Sequence, residues 1–118
     1  MDDSPGPAAG DGPALAREYY RAIDAGDYEA LAAVLDPDFT HERGDRTLSG
    51  RETFVHFMAN ERPETDTTHE VRRIYTGPGG VAVAGVLRRA DGTLFFRFVD
   101  AFEVDERLSH LVTYAANE

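Results

Sequence analysis

A single aspartate interrupts a series of phenylalanines near the C-terminal end of the chain. Asp100 alternates with Phe96, Phe98 and Phe102, so it shares their face of a predicted strand. A carboxylate on an apolar face is unusual. Burial would raise the pKa of Asp100 and keep it protonated as a hydrogen-bond donor. The alternative that we favour is an ion pair with Arg43, and in either case Asp100 is predicted to mark a pocket.

Three polar residues of the first half of the chain are further candidates for proton chemistry. Tyr19 lies on a helical apolar face, where its hydroxyl is predicted either to be a hydrogen-bond donor in a pocket or to be bonded within the core. His41 and Arg43 share one face of an extended segment. A neutral imidazole suits a general base, although structural histidines are commoner. We therefore predict catalytic roles for Tyr19, His41 and Asp100, and substrate contact for Arg43.

The remaining histidines give little indication of a metal site. His110 alternates with Leu108, Val112 and Tyr114, the predicted inward set of the last strand. It is therefore expected to face the pocket or a subunit interface. His56 and His69 are expected to be exposed. The four histidines lack i, i+4 spacing, and the chain has no cysteine, so we predict neither a metal nor a cofactor.

Helical patterns precede and position these residues. Leu15, Tyr19 and Ile23 recur every four residues in a helix that begins at Pro13 and is stopped by Gly26. A second apolar stripe runs through residues 28–35, where Asp36-Pro37 ends it. An extended segment, 39–43, comes next.

The rest of the pattern is one helix and then strands. Ser49 and Glu52 form a capping-box pattern, which predicts a third helix with an apolar stripe of Phe54, Phe57 and Met58. Strands are predicted at 71–75, 81–89, 94–104 and 108–114, and Asp91-Gly92 predicts a hairpin. The element order indicates an α+β fold with three N-terminal helices packed on a curved, mostly antiparallel sheet.

Composition limits the class of protein. The 118 residues suit one domain at 13–118 after a disordered acidic tail at 1–12. No apolar run approaches membrane-spanning length and no leader-like segment is recognised, so we expect a cytoplasmic protein without a membrane partner. The net charge of −10 disfavours nucleic acid. An acidic chain whose basic residues are all arginines is typical of salt adaptation, and a GC-rich genome is the alternative explanation.

Four segments resemble the nuclear transport factor 2-like superfamily, and within it the SnoaL-like polyketide cyclases and ketosteroid isomerases. They are YYRAIDAGDYEALAAVLDPDF, THER, LSGRETFVHFM and FRFVDAFEVDERLSHLVTY, which together extend over about residues 14–115. The resemblance implies a cone-shaped domain and a homodimer formed through the sheet. It also places the oxyanion tyrosine of ketosteroid isomerase at Tyr19 and its protonated aspartate at Asp100. The catalytic base falls at Arg43, which cannot act as a base.

The predicted pocket would accept a small hydrophobic molecule with a carbonyl, hydroxyl or carboxylate. The side chains expected to contact that ligand are Arg43, Phe54, Phe57, Phe98 and His110. Two hypotheses follow. One is a cofactor-independent isomerase, cyclase or hydratase, and the other is a non-catalytic ligand-binding or dimerisation module.

Overall fold

The computed structural model describes residues 7–62 and 65–116. Its elements, in chain order, are α1 Gly12–Ala25, α2 Tyr28–Ala33, β1 Leu35–Arg43, β2 Arg46–Ser49, α3 Arg51–Asn60, β3 Thr68–Gly77, β4 Gly80–Arg88, β5 Leu94–Val104 and β6 Leu108–Ala116. Within the described residues the strands form one sheet, in the order β2-β1-β6-β5-β4-β3. Neighbouring strands are antiparallel except β1 and β6, which are parallel. The predicted α+β architecture, with helices on one face of a curved and mostly antiparallel sheet, is confirmed.

Helix α1 begins slightly earlier than the sequence predicts. The Asp11 side chain accepts a hydrogen bond from the Ala14 N–H, which caps the first turn. The Gly10 N–H donates to the Glu106 carbonyl, so this segment lies against the β5–β6 turn. Residues 10–12, which the sequence predicts to be part of the tail, therefore belong to the folded part, and residues 1–6 of the predicted tail lie outside the described part of the chain.

The boundary between α2 and β1 also differs from the prediction. Helix α2 ends at Ala33, and Leu35 is the first residue of β1 rather than part of the helical stripe. The Leu108 N–H donates to the Val34 carbonyl, and Leu35 pairs with Leu108 in the parallel ladder. Pairing with β6 therefore extends the strand across Asp36-Pro37, whose proline already favours extended backbone before it.

Strand β2 was missed, and with it the start of α3. Ser49 pairs with Thr40 in the β1–β2 hairpin, so its side chain makes no cap and the capping-box prediction was wrong. Gly50 is the N-cap of α3, with φ of 96°, a backbone conformation that favours glycine. Its N–H donates to the Phe39 carbonyl over 2.7 Å. Helix α3 therefore begins without a side-chain cap.

A register shift in β6 changes which of its side chains face the helices. Leu108 pairs with Val104, whereas His110 pairs with Glu103, so one extra residue lies between these pairs. Leu111 and Thr113 consequently share the inner face with Leu108. The prediction that His110 faces the pocket was wrong, because it lies on the outer face, in contact with Glu42 and Glu103. The alternative, a place in a subunit interface, stays a prediction.

Candidate functional site

A chain of hydrogen bonds joins four side chains inside the fold. The Tyr20 hydroxyl donates to Asp100 Oδ2 over 2.6 Å. The Thr113 hydroxyl donates to Asp100 Oδ1, also over 2.6 Å, and His41 Nε2 lies 2.8 Å from the same Thr113 oxygen. Helix α1 and strands β1, β5 and β6 each contribute one of these residues. We call this set the buried relay: Tyr20, His41, Asp100 and Thr113.

When the Asp100 carboxylate accepts both hydroxyl hydrogens, the bonding at Thr113 fixes which nitrogen of His41 carries the proton. A threonine hydroxyl has one hydrogen, and here Asp100 accepts it. The Thr113 oxygen must therefore accept from the Nε2–H of His41. Nδ1 is left with a free lone pair, and this atom is buried with no hydrogen-bond partner in the described structure. Such an atom is a candidate general base.

Burial shifts the two ionisable ends of the relay in opposite directions. Burial, with the positive charge of Arg43 nearby, lowers the pKa of His41 to about 4. The imidazole is therefore neutral at physiological pH. Burial raises the pKa of Asp100, against the opposing effect of the hydrogen bonds from Thr113 and Tyr20. Burial also raises the pKa of Tyr19 and of Tyr20, so both phenols stay protonated.

Tyr20, not Tyr19, is the tyrosine that contacts Asp100. The Tyr19 ring is equally buried but stacks on Phe54, with centroids 6.1 Å apart and planes 20° from parallel. No hydrogen bond among the described residues involves its hydroxyl. Tyr19 and Tyr20 are in edge contact at 5.1 Å. Tyr19, the tyrosine that the resemblance selects, therefore does not bond to Asp100, whereas the neighbouring Tyr20 does.

Arg43 does not pair with Asp100. Its guanidinium is half-exposed, and its Nε lies 3.6 Å from Asp45 Oδ1 in the β1–β2 turn. The predicted Arg43–Asp100 ion pair was therefore wrong, because two hydroxyl donors already occupy both oxygens of Asp100. The Arg43 charge still acts on His41 and on Tyr19 at longer range.

The predicted apolar contact residues are only partly brought together. Phe54 is fully buried and its ring centroid lies 5.3 Å from that of His41. Phe98 packs on the Tyr20 ring at 5.7 Å. Phe57 lies instead under the guanidinium of Arg46, at 4.8 Å. Phe54 on α3 therefore packs at the His41 end of the buried relay, and Phe98 on β5 packs at the Tyr20 end.

A second histidine–carboxylate pair lies beside Tyr20. His69 Nδ1 is 2.7 Å from Asp24 Oδ1, and the His69 backbone N–H donates to Asp24 Oδ2. The His69 ring also packs on Tyr20, with centroids 4.9 Å apart. The expectation that His69 is exposed was wrong, because it faces inward from β3 and fastens that strand to the end of α1.

The interior of the fold is filled by side chains. Tyr19, Tyr20, His41 and Asp100 are each no more than 6% exposed. Two cavities, of about 230 and 390 Å³, lie instead beside the β3–β4 turn, lined in part by Gly79, Gly80 and Val81. None of the predicted site residues lines either of them. Neither of these two cavities is therefore the expected pocket.

Tyr20 and Thr113 are the functional candidates that sequence reasoning missed. Tyr20 follows Ala16 by four residues and precedes Ile23 by three, so a wider apolar face of α1 would have included it. Thr113 was assigned to the outer face because strict alternation from Leu108 passes over the extra residue in β6.

The SnoaL-like domain family matches residues 16–109, most of the chain. The chain belongs to this family. Its architecture is that of NTF2-like proteins. No curated protein matches the sequence at a significant level. No helix in the described part of this SnoaL-like protein is long and apolar enough to span a membrane, and no group of three metal-ligating side chains occurs there.

Three solved structures illustrate the similarity. A putative ketosteroid isomerase from Kribbella flavida is 26% identical, with a TM-score of 0.75 over 89% of this chain and 77% of that one. A putative polyketide cyclase from Sinorhizobium meliloti is 18% identical, with a TM-score of 0.76 over 88% and 96%. An LEH-like epoxide hydrolase from M. tuberculosis is 18% identical, with a TM-score of 0.75 over 86% and 80%. The last two similarities concern the fold alone.

Proposed function

We propose that this SnoaL-like protein catalyses a cofactor-independent proton transfer on a small, largely apolar molecule. One observation carries the proposal: His41 Nδ1 is a buried, unpartnered lone pair at the end of an ordered hydrogen-bond chain. An unsatisfied buried polar atom costs stability, on the order of 1–3 kcal/mol. A site retained at that cost is typical of function.

The buried relay suits His41 to act as a general base. When Nδ1 takes a proton from an acidic C–H or from water, the ring becomes an imidazolium whose Nε2–H still donates to Thr113. Thr113 in turn donates to Asp100, so the negative charge of Asp100 stabilises the new positive charge through one hydroxyl. With a pKa of about 4, His41 has the basicity of a carboxylate, the type of base that ketosteroid isomerase uses.

Tyr19 is the proposed partner for the negative charge that develops on the substrate. Its hydroxyl is protonated because burial raises its pKa, and it has no hydrogen-bond partner within the described residues. Arg43 lies close enough to stabilise charge at that hydroxyl. His41 lies two residues before Arg43 on the same face of β1. It therefore offers a base close to the position where the resemblance places Arg43, which cannot act as one.

Three reaction types are consistent with this arrangement, and the similar structures supply the probes. The chain can be assayed on a β,γ-unsaturated ketone for isomerisation, on a tethered 1,3-dicarbonyl for aldol cyclisation, and on an epoxide for hydration. His41→Gln is the informative variant, since its side-chain N–H can still donate to Thr113 while the Nδ1 lone pair is gone. We expect turnover of one probe to fall by about 10²-fold or more in His41→Gln.

Thr113 provides the matched pair of variants. Thr113→Val removes the hydroxyl at nearly constant volume, and Thr113→Ser retains it. We expect Thr113→Val to reduce kcat and to shift the acidic limb of the pH profile of kcat. We expect Thr113→Ser to restore both. Turnover that is unchanged in His41→Gln would overturn the assignment of His41 as the base.

The second candidate is a non-catalytic ligand-binding module, and the bonding of Asp100 favours it. Both oxygens of Asp100 already accept hydrogen bonds, and Tyr20, His41 and Asp100 are buried. A small molecule that raises the melting temperature of the wild type and of His41→Gln equally, without turnover, would support this alternative.

A further inference from the structure

Three ionisable side chains on the outer face of the sheet are in contact with one another. His110 Nε2 lies 2.5 Å from Glu42 Oε2, and His110 Nδ1 lies 3.4 Å from Glu103 Oε2. Strand β6 carries the histidine, and its two neighbours, β1 and β5, each carry one glutamate. We call this set the outer triad: Glu42, His110 and Glu103. It links three adjacent strands through their side chains.

The outer triad lies directly behind the buried relay, on the same three strands. On each strand the relay residue and the triad residue are one or three positions apart, and an odd separation places two side chains on opposite faces. The pairs are His41 and Glu42 on β1, Asp100 and Glu103 on β5, and Thr113 and His110 on β6. Contacts that fix the spacing of these strands on the outer face therefore also fix the spacing of the relay inside.

His110 lies where the backbone pairing of β6 resumes on both sides. The ladder with β5 is shifted by one residue between Leu108 and His110. The parallel ladder with β1 is interrupted between Leu35 and Thr40, and Thr40 is the residue that pairs with His110. The side-chain contacts of His110 therefore join β6 to both neighbours at the point where backbone pairing is least regular.

The contacts of His110 depend on its protonation state. An imidazolium donates from both ring nitrogens, whereas a neutral imidazole has one N–H and can donate to one carboxylate only. Glu42 and Glu103 are the charged groups that face the ring from β1 and β5, and the next outward residue of β6, Val112, is apolar. Loss of the proton therefore leaves one carboxylate against a nitrogen lone pair and weakens the link between the strands.

The charge of His110 also acts on the relay through the sheet. Burial is the largest cause of the lowered pKa of His41, and the positive charges of Arg43 and His110 add to it. The two histidines are therefore coupled by charge as well as by the strands that carry them.

We propose that the outer triad is a pH-sensitive clamp on the buried relay, with His110 as its positioning residue. When His110 is protonated, the clamp holds the three strands at the spacing that lets Thr113 bond to both His41 and Asp100. When His110 is neutral, the clamp loosens and the bond between His41 and Thr113 breaks more often. The inference rests on the proposed function in that His41 is the base, but its test needs no turnover.

Two variants hold the charge at position 110 constant. His110→Lys is positively charged across the pH range of the experiment, and His110→Gln is neutral across it. His56→Gln is the matched control, because His56 Nε2 also lies 3.0 Å from a glutamate oxygen, that of Glu61, but its side chain is 64% exposed on α3.

The measurement is NMR of the His41 ring between about pH 5 and pH 8, the range in which histidines change charge. Exchange of the His41 Nε2–H with solvent reports how often its bond to Thr113 is broken. Rates are compared between variants at each pH. We expect the wild type to match His110→Lys at the acidic limit. At the alkaline limit it should exchange about threefold faster than His110→Lys, as the loss of a partly exposed ion pair allows, and match His110→Gln.

The acidic titration of His41 is a second readout, which a merely structural role of His110 would not move. Its midpoint should lie higher in His110→Gln than in His110→Lys, because a nearby positive charge disfavours the imidazolium form. His56→Gln should leave both the exchange rates and this midpoint at their wild-type values.

Glu42→Gln tests the clamp without a change in β6. It removes the main partner of His110 and should give fast exchange at both pH limits, so it serves if substitutions at His110 unfold the protein. Equal exchange rates in the wild type and His110→Lys at every pH would overturn the inference. A pH-dependent step that persists in His110→Gln would also overturn it, since another group would then be responsible.

The outcomes separate the clamp from the proposed function. The expected exchange rates without turnover of any probe substrate would support the clamp and contradict catalysis. Turnover that depends on His41, together with equal exchange in all of the variants, would contradict the clamp alone.

Discussion

Burial acts on His41 and Asp100 with opposite consequences for stability. His41 has a lowered pKa, so the unfolded chain takes up a proton below about pH 6.5 while the folded protein does not. Its contribution to the free energy of unfolding therefore falls as pH drops from about 6.5 to about 4. Asp100 has a raised pKa, so the folded protein holds a proton where the unfolded chain has lost it. Its contribution falls as pH rises from about 3.8 through the raised value.

The two effects oppose each other in the wild type, and single variants should separate them. In Asp100→Asn, His41 acts alone, and we expect the free energy of unfolding to drop by roughly 3 kcal/mol between pH 7 and pH 4. In His41→Gln, Asp100 acts alone, and acidification over the same range should stabilise the protein. Urea unfolding at several pH values measures both. Parallel pH profiles for the two variants would contradict the assigned pKa shifts.

The sequence located the site in part at the level of single residues. Asp100 was selected because a carboxylate on an apolar face is rare, Tyr19 because of the family resemblance, and His41 because it shares a face with Arg43, and all three are buried. The network that joins them could not be predicted, because Thr113 depends on the register of β6 and Tyr20 depends on which neighbouring tyrosine reaches β5. Hydrogen-bond partners across strands are set by tertiary register, which a local pattern does not contain.

At the scale of elements, local sequence patterns predicted which helices and strands exist better than they predicted where each one begins and ends. The three helices and the last four strands were predicted because each has a clear apolar period. Strand β2 was missed because its residues are largely exposed and lack alternation, and it exists through pairing with β1. The same pairing makes Gly50, not the predicted Ser49, the N-cap of α3, which has no side-chain cap. Both errors come from a hairpin that is stabilised by tertiary contacts rather than by the preferences of its own sequence.

Gly85 allows Phe98 to pack against Tyr20. It lies on the inner face of β4, opposite Phe98 in the ladder. A Cβ at this position would lie 2.4 Å from the Glu70 carbonyl oxygen and 2.9 Å from Phe98 Cζ. We expect Gly85→Ala to destabilise the fold by more than about 2 kcal/mol, since the backbone of β3 cannot yield as a side chain does.

Gly77→Ala is the control for that experiment, because an added Cβ there meets no atom within 4 Å. It should change the free energy of unfolding by less than about 0.5 kcal/mol. Chemical denaturation of both variants gives the comparison, and near-ultraviolet circular dichroism reports whether tyrosine packing is disturbed. If Gly85→Ala and Gly77→Ala had similar stabilities, β3 and β4 would not lie as close together as they do in the structure.

At the scale of the whole molecule, the helices cover one face of the sheet and leave apolar side chains on the other. Tyr75, Val99 and Tyr114 are 54%, 42% and 62% exposed on that outer face. Along β5 the outward residues run from Glu103 through Ala101 and Val99 to Arg97. A two-fold axis that crosses β5 between Val99 and Ala101 would therefore set the Arg97 of one copy near the Glu103 of the other. This self-complementary arrangement supports the homodimer that the family resemblance implies.

We predict that Val99→Glu and Tyr114→Glu each shift the protein from dimer to monomer, because a carboxylate would be buried without a partner. Sedimentation equilibrium at micromolar concentration measures the shift. Thr53→Glu is the control, with the same change of charge at an exposed position on α3. A monomeric wild type, or a Thr53→Glu variant that dissociates as readily, would exclude the sheet face as the interface.

The net charge of −10 makes the salt response of stability informative. Simple screening of repulsion between carboxylates acts mainly below a few tenths molar, since the Debye length is about 8 Å at 0.15 M and about 3 Å at 1 M. If the acidic, lysine-free surface is a salt adaptation, the melting temperature should continue to rise between 0.5 and 3 M sodium chloride. If composition alone explains it, the rise should level off once screening is complete. Melting curves across that range, with potassium chloride as a second salt, distinguish the two, and a flat response above 0.5 M would reject adaptation.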